Sequence, residues 1–431
     1  MRVPTRRSLF HQPGQRSNPY RMLLWGFLIV MGLTTLRGIG AGSIQPLFNA
    51  IPTATRSATS YREEGTAFFD AGNLDEAIDA YQDALAVSPE DYVGWTELAR
   101  IQTYSSSLLT QERKRDRLDE ALASIDRAVE LAPEDSMVHA VRAFVLDWKA
   151  GAAGNASERQ SLLADASSES ILAVQLDNQN VLALAYQAEV FVDQQQYVQA
   201  DQYAKLALSL DPNSLDTLRV SAYVLEASGN YSAAIEQYKL AAGIAPNLTF
   251  LYISIGQNYR QLGLYEQALE YFDRAASINE VLGVNDPLPY IAIAKTYSRE
   301  GEFFAAARNA ERAIGLDPTN PDWYGQLGII YFRSRNYEGS IPVLRCAVSG
   351  CSAIENEDWQ VDVTGMVLND DTLVYYYTYG SVLAALDHCD EAFPILEAVR
   401  ASYAADAVVM DIVTESFQVC ENLAAQKNSR P

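Results

Sequence analysis

The sequence predicts an all-α protein built as an α-solenoid, a right-handed superhelix of antiparallel helix pairs. Small residues return at a fixed interval of 34 residues, as shown by Ala173, Ala207, Ala241 and Ala275. Prolines keep the same interval at Pro212 and Pro246, and Glu280 stands where the next proline is expected. A period in this range is typical of stacked helix pairs, because each pair buries its apolar face only against its neighbours.

The stretch 58–91 shows how one unit is composed. Its first predicted helix carries small and aromatic residues at helical spacing, namely Tyr61, Gly65 and Phe68. Gly72-Asn73 breaks this helix, and a second helix places on one face Ala77, Tyr81 and Ala84. Pro89 then stops the helix and turns the chain towards the next unit. This pattern resembles the tetratricopeptide repeat, and the resemblance extends over roughly residues 58–400.

The predicted repeat domain spans residues 61–425, with about eight or nine units, and a short tail follows at 426–431. The regular spacing is interrupted by three insertions, near 104–118, 147–165 and 352–371. The first two fall between the two helices of a unit, on an edge where insertions often serve binding. The third alternates apolar and polar residues around a glycine turn, which predicts a small β-hairpin near 360–369.

The first sixty residues contain seven arginines and no acidic side chain. Residues 1–21 form a basic leader, which is followed by the apolar run Met22–Leu36. We expect a transmembrane signal-anchor over 22–40 and a flexible linker over 41–60, with the arginines holding the N-terminus in the cytoplasm. The alternative is a signal peptide, removed near Ala41-Gly42-Ser43, that releases a secreted protein. Both interpretations place the repeats outside the cytoplasm.

Four cysteines occur, all in the last quarter of the chain, at Cys346, Cys351, Cys389 and Cys420. An even number in this arrangement suggests two disulfides formed in an oxidising compartment. Three connectivities are possible, and the short spacing favours Cys346 with Cys351 and therefore Cys389 with Cys420. Four buried free thiols are the alternative.

The charge and the motif content exclude several classes of function. The formal net charge is −23, and the seven arginines of the first sixty residues leave −30 on the remainder. A surface of this sign repels phosphate backbones, so we expect no nucleic-acid partner. The three histidines, His11, His139 and His388, are far apart, and no nucleophile, phosphate-loop or metal-ligand motif accompanies them. The sequence therefore predicts no catalytic activity, no cofactor and no metal site.

A candidate peptide groove is predicted on the first helices of the later units, at positions that face away from the packed stripe. It consists of Arg219, Tyr223, Gln257, Arg260, Lys295, Arg299, Phe332 and Arg333. Arginine forks and aromatic rings on a rigid wall suit a carboxylate or an acidic peptide. The resemblance to tetratricopeptide proteins implies the same class of ligand, although the lysine–asparagine clamp of some members has no match here.

The leading hypothesis is a membrane-tethered, extracytoplasmic scaffold that binds a protein or peptide, similar to membrane-anchored bacterial tetratricopeptide proteins. The alternative is a carbohydrate-binding or accessory subunit of an envelope complex for polysaccharide export, with the tyrosines as the binding groups. Repeats of this kind serve many partners, so the resemblance predicts the fold and a binding role without naming the ligand.

Overall fold

The computed structural model describes residues 18–40 and 56–429, and the chain divides into two compact units, Met1–Arg56 and Ser57–Pro431. The described part of the first unit is one helix, α1 (Pro19–Gly40). Among the described residues it is the one helix long and apolar enough to cross a membrane, a criterion that a signal sequence also meets. The predicted leader, the cleavage site and most of the linker lie outside the described residues.

The second unit is all-α and, among its described residues, contains nine helix pairs and a final single helix. The pairs are α2 (Ala58–Asp70) with α3 (Leu74–Val87), α4 (Tyr92–Ser106) with α5 (Gln111–Leu131), α6 (Ser136–Gly151) with α7 (Ala156–Leu176), α8 (Val181–Asp193) with α9 (Tyr197–Leu210), α10 (Leu215–Ala227) with α11 (Tyr231–Ile244), α12 (Thr249–Gln261) with α13 (Tyr265–Leu282), α14 (Leu288–Glu300) with α15 (Phe303–Leu316), α16 (Pro321–Arg333) with α17 (Tyr337–Val348), and α18 (Leu373–Ala385) with α19 (Cys389–Ser402). The last helix is α20 (Ala407–Ser429). The predicted all-α solenoid of packed helix pairs is confirmed.

The helices begin at polar caps and end at turns that the sequence encodes. Asp135 accepts hydrogen bonds from the amides of the first turn of α6, at 2.9 and 3.1 Å, and Asn180 caps α8 in the same way. Between the helices of a pair the chain passes through the left-handed region, at Gly229 with a φ of 77°. Gln195 occupies the equivalent turn of the preceding pair with a φ of 61°.

The two helices of a pair cross where a glycine of the first faces a large side chain of the second. A Cβ at Gly256 would lie 2.5 Å from the Phe272 ring, and one at Gly328 would lie 2.5 Å from Leu344. The same close approach joins Gly65 to Tyr81. Small residues recur in the sequence because the backbones come this close.

The two early insertions lengthen helices and do not form loops. Helices α5 and α7 each have 21 residues, whereas α9 and α11 have 14. The first insertion adds a basic N-terminal end to α5, where the Arg115 guanidinium donates to the carbonyl of Ala152 at 2.8 Å. This end of α5 is thereby held against the turn that precedes α7.

The predicted β-hairpin near 360–369 is wrong. The described segment between α17 and α18 is irregular, and its one β-contact is an isolated antiparallel bridge between Cys351 and Val363. Beyond this bridge, at Met366, its backbone bonds to the helices on either side: the Met366 amide donates to the Ala347 carbonyl at 2.9 Å, and Tyr376 donates to the Met366 carbonyl. The alternating apolar residues are therefore anchored to α17 and α18.

The early pairs curl far enough to meet the later ones. The Asn247 amide donates to the carbonyl of Ala71 at 2.8 Å, across 176 residues of sequence. Tyr104 of α4 stacks on Phe250 of α12 with ring centroids 5.5 Å apart. The space enclosed by α4, α6, α8, α10 and α12 is consequently filled by side chains, and these helices are buried on most of their surface.

Two disulfides lie at the C-terminal end of the second unit, between Cys346 and Cys351 and between Cys389 and Cys420. The second joins the start of α19 to α20. Val409 and Val413 of α20 are buried in the same apolar cluster as Leu396 of α19. The final helix thus closes the exposed end of the array, which a solenoid requires.

Candidate functional site

A network of buried charged side chains lies in the space enclosed by the first helices of successive pairs, α4, α6, α8, α10 and α12. The Arg219 guanidinium donates to both carboxylate oxygens of Glu189, at 2.7 and 2.6 Å, and its Nε donates to the Tyr104 hydroxyl at 3.1 Å. The indole of Trp148 donates to the same Glu189 at 3.0 Å. Arg219 is only 4% exposed, so this forked ion pair is shielded from solvent.

Asp216 forms the second centre of the network. It accepts hydrogen bonds from Arg100 at 3.0 Å, from Tyr186 at 2.7 Å and from Tyr104. Burial alone raises the pKa of this carboxyl, but Arg100 and Arg219 outweigh that effect, so the pKa of Asp216 falls below its usual value. Asp216 therefore stays ionised, and its bonds tie α4, α8 and α10 together.

A cavity of about 320 Å³ lies beside this network. Its wall includes Asp147, which is 2% exposed and receives no hydrogen bond from an N–H donor or a hydroxyl among the described residues. Its carboxyl lies within hydrogen-bonding reach of that of Asp193, so the two acids can share a proton. Burial raises the pKa of Asp147 well above its usual range, and the nearby carboxyls of Asp193 and Glu189 raise it further. The pKa of Asp193 is also raised by burial, although the Tyr223 hydroxyl donates to it at 2.6 Å.

The rest of the cavity wall is largely aromatic. Trp148, Tyr223 and Phe250 line it and are only partly buried, so the cavity reaches solvent. The basic end of α5 contributes Lys114, whose pKa is lowered by burial. The carboxyl groups of this cavity lie beside aromatic rings, and the charge of Arg219 is already paired. The cavity therefore favours a positively charged ligand.

The structure does not place the predicted groove residues on one open wall. Arg219 is buried inside the network, and its guanidinium is already paired with Glu189. Tyr223 lines the acidic cavity. The sequence pattern identified both as facing inwards, but it could not show that this inward space is occupied.

The remaining groove residues follow α12, α14 and α16. Arg260 is partly buried and donates to the Ala292 carbonyl at 3.2 Å, while its Nε has no partner among the described residues. Burial and the charge of Arg299 lower the pKa of Arg260 to about 10. Burial also lowers the pKa of Lys295; the Asp322 carboxylate opposes this effect and Arg260 adds to it. These three cations therefore lie within electrostatic reach of one another.

The other members of the predicted groove are more peripheral. Gln257 is partly buried, and Phe332 is 37% exposed and lies against Tyr337 with ring centroids 5.7 Å apart. Arg333 is exposed and donates to the Ser298 hydroxyl at 3.0 Å. The structure thus brings together Arg260, Lys295 and Arg299 and leaves Arg219 apart from them.

The acidic cavity itself was missed by the sequence reasoning. Its signal was present, since Glu189 is the one charged residue inside the apolar run 181–192 and Asp147 follows the run 143–146. Acids in such positions are seldom fully buried unless paired or functional. In so acidic a chain, these residues did not stand out.

The likeness to solved structures is distant. A tetratricopeptide repeat protein from Parabacteroides merdae has 18% identity and a TM-score of 0.38, over 63% of this chain and 98% of its own. A thermophilic TPR protein from Thermus thermophilus has 19% identity and a TM-score of 0.39, over 47% of this chain and 98% of its own. The APC/C hetero-tetramer Cut9-Hcn1 has 14% identity and a TM-score of 0.48, over 89% of this chain and 81% of the other.

Sequence-family models are more direct. No curated protein matches the chain. Models described as tetratricopeptide repeat match residues 62–103, 251–281 and 291–352. These stretches correspond to helices of the first, second, sixth, seventh and eighth pairs, and a small-to-large crossing of the same kind recurs in the ninth pair, between Gly380 and Leu396. The chain contains tetratricopeptide repeats.

Proposed function

We propose that this protein is a scaffold that binds a protein or peptide partner, is tethered to the cell membrane by α1 and has no catalytic activity of its own. The array of repeats carries this proposal, because stacked helix pairs offer an extended and rigid surface for other chains. Tetratricopeptide repeats indicate protein partners in general. Cross-linking in intact cells, followed by capture of the full-length chain and identification of the bound proteins, tests the role, and capture of no partner above an untagged control contradicts it.

The compartment is inferred from α1 and the cysteines. Arg21 precedes the apolar stretch of α1, and the leader before it is basic, which favours a cytoplasmic N-terminus. The two disulfides fit an oxidising space on the other side of the membrane. Cleavage after the apolar segment and secretion is the alternative for the same residues.

Alkaline carbonate extraction distinguishes these two outcomes. If α1 is an anchor, the full-length chain stays in the membrane pellet, because carbonate removes only peripheral proteins. Release into the supernatant with a new N-terminus at or near Gln45 supports the secreted form instead. A fusion of a reporter that is active only outside the cytoplasm to residue 429 reports the orientation of the repeats.

For the binding surface we propose the group formed by Arg260, Lys295 and Arg299. The Nε of Arg260 lacks an acceptor among the described residues. Burial is the main cause that lowers the pKa of both Arg260 and Lys295, and repulsion between the cations adds to it. A group of three neighbouring cations is unusual on a domain whose net charge is strongly negative, and an incoming carboxylate would relieve the repulsion. The partner is therefore expected to present acidic side chains or a C-terminal carboxylate.

Charge reversal at this group tests the surface. The triple variant Arg260→Glu, Lys295→Glu and Arg299→Glu should weaken the binding of acidic peptides at least about tenfold, through the loss of charge-assisted hydrogen bonds. Arg308→Glu, an exposed arginine on the second helix of its pair, is the matched control. Equal binding of an acidic peptide panel by the triple variant and the wild type would remove the surface from consideration.

A further inference from the structure

The cavity inside the solenoid has more negative than positive groups in its wall. Its carboxyls are Asp147, Glu189 and Asp193, and its cations are Lys114 and Arg219. Arg219 is fully engaged, since both of its terminal nitrogens bond Glu189. Burial alone lowers the pKa of Lys114, so no carboxylate lies close enough to perturb it. Among the described residues, Asp147 and Asp193 form no ion pair, although Arg159 lies within electrostatic reach of Asp193.

Asp147 is the group that points to a ligand. Buried polar atoms in folded proteins almost always have a hydrogen-bond partner, and a buried carboxyl that can only share a proton with a neighbouring acid is costly to ionise. The side chain lies in the cavity wall, on α6, and is almost completely buried. A donor placed in the cavity would satisfy it.

The size and the wall of the cavity limit the ligand. About 320 Å³ is at the small end for ligand pockets and suits a group of amino-acid size. The aromatic wall already holds one cation, since the Arg219 guanidinium lies 5.8 Å from the centre of the Trp148 ring. Tyr223 and Phe250 also line the cavity, and aromatic rings attract organic cations. Among the described residues, no group of three or more His, Cys, Asp or Glu side chains has the geometry to hold a metal ion.

We propose that this cavity binds an organic cation of amino-acid size, an ammonium or guanidinium group that pairs with Asp147 and Asp193. The cation is either a free amine or the basic side chain of a bound peptide, since both present the same chemistry. This site goes beyond the proposed scaffold function, because it depends neither on the membrane helix nor on the cationic group at Arg260. The cavity is proposed to bind a cation, whereas the group at Arg260 is proposed to bind an acidic partner.

Proton release should accompany binding. The charged and titratable groups around Asp147 come from α5, α8, α10 and α11, and they are Lys114, Glu189, Asp193, Arg219, Tyr223 and Tyr238. Arg159 of α7 acts on the neighbouring Asp193. In the empty cavity the raised pKa of Asp147 favours its protonated form, and a bound cation favours the carboxylate. Affinity should therefore rise with pH until Asp147 is ionised in the free protein.

Calorimetric titration of the full-length chain in detergent micelles tests the proposal. The probes are putrescine, methylguanidinium and a capped Gly-Lys-Gly peptide, with a capped Gly-Gln-Gly peptide as the neutral control. Binding of the free amines alone, or of the lysine peptide as well, supports the cavity as a cation site and distinguishes the two sources. If no cationic probe binds more tightly than the glutamine peptide at millimolar concentration, the proposal is overturned.

Two substitutions locate the binding in this cavity. Asp147→Asn keeps the shape and removes the charge, so it should weaken cation binding at least about tenfold and abolish its pH dependence. Glu270→Gln removes an exposed carboxylate on α13 and should leave binding unchanged. Because Asp147→Asn replaces a buried, largely protonated acid by a neutral group of the same shape, its melting temperature should not fall, so weak binding cannot be ascribed to unfolding. Wild-type affinity in Asp147→Asn would overturn the assignment.

Discussion

Asp286 is another buried carboxyl, and its two hydrogen bonds are made within the turn that precedes α14. It accepts a hydrogen bond from the Leu288 amide at the start of α14 and another from the Asn279 amide, both at 2.9 Å. Burial raises the pKa of Asp286 to about 7 in spite of these bonds. The Oδ1 of Asn279 has no partner among the described residues. When Asp286 is ionised, no hydrogen-bond donor is therefore left for the Oδ1 of Asn279.

We expect Asp286→Asn to stabilise the protein at neutral and higher pH. A folded-state pKa of about 7 exceeds the usual unfolded value of ~4, so the stabilising contribution is complete below pH ~4 and is lost as pH rises through about 7. The asparagine can donate to the Oδ1 of Asn279 and keep the cap on α14. The free energy of unfolding at pH 8 should rise on the order of 1–2 kcal/mol, since one pKa unit corresponds to ~1.4 kcal/mol.

Urea unfolding between pH 5 and pH 8 checks this expectation. The difference between the variant and the wild type should grow with pH across that interval. A constant difference would show that the ionisation of Asp286 does not contribute to stability.

The crossing of α12 and α13 gives a second prediction for single residues. Gly256→Ala places a methyl group 2.5 Å from the Phe272 ring and should lower the free energy of unfolding by about 1–3 kcal/mol. Gly243→Ala, in α11, has open space around the new Cβ and should leave stability unchanged or raise it by up to ~1 kcal/mol. Denaturant titration of both variants makes the comparison, and equal effects would show that the crossing tolerates the added volume.

The turns between the two helices of a pair adopt the same backbone conformation with different residues. Gly229 and Gln195 occupy equivalent left-handed positions, with φ values of 77° and 61°. A side chain in this region costs roughly 1–2 kcal/mol. The repeat therefore retains its turn even where the favourable residue is absent, because the packed helices on either side determine its geometry.

Exchanging glutamine and glycine between these two turns measures the free-energy cost of a side chain in the left-handed conformation. Gln195→Gly should raise the free energy of unfolding by about 0.5–1 kcal/mol, and Gly229→Gln should lower it by about 1–2 kcal/mol. A Cβ at Gly229 meets no atom within 4 Å, so packing does not contribute to its effect. Changes in the midpoint of urea unfolding give the values, and changes of the same sign in both variants would contradict the argument.

The helix pairs could be predicted from the sequence because small residues, breaks and prolines each have a local cause. Glu280 is informative, since α13 has no proline at this position and continues to Leu282 before Gly283 ends it. The segment near 360–369 could not be predicted correctly, because alternation also occurs in an irregular segment whose backbone bonds to neighbouring helices. The length of α5 depends on the same kind of tertiary contact, that of Arg115 with Ala152.

For the whole molecule, the final helix and its disulfide control the C-terminal end. Replacing both Cys389 and Cys420 by serine opens a link between positions 31 residues apart, which should cost about 3–4 kcal/mol of local stability. Amide hydrogen exchange in α20 should accelerate, while exchange in α8 and α10 stays unchanged. The double serine variant of Cys346 and Cys351, only five residues apart, should cost about 2 kcal/mol and serves as the comparison. Unchanged exchange in α20 would show that apolar packing alone holds it.

The candidate sites could be predicted only in part, for a reason that belongs to the whole molecule. The sequence identifies which residues of each first helix face inwards, and this includes Arg219 and Tyr223. It does not state how tightly the superhelix winds, because that depends on small rotations added over many units. The contact of Ala71 with Asn247 is the result of that winding. Because of this winding, the inner face that was expected to form an open groove is packed with side chains and leaves the acidic cavity described above.

That contact has a consequence for biogenesis. A chain made from its N-terminal end contains Ala71 long before Asn247 is added, since 176 residues separate them. The first pairs are therefore complete while their inward faces are still uncovered, and the charged side chains of α8 and α10 remain open to solvent until α12 follows.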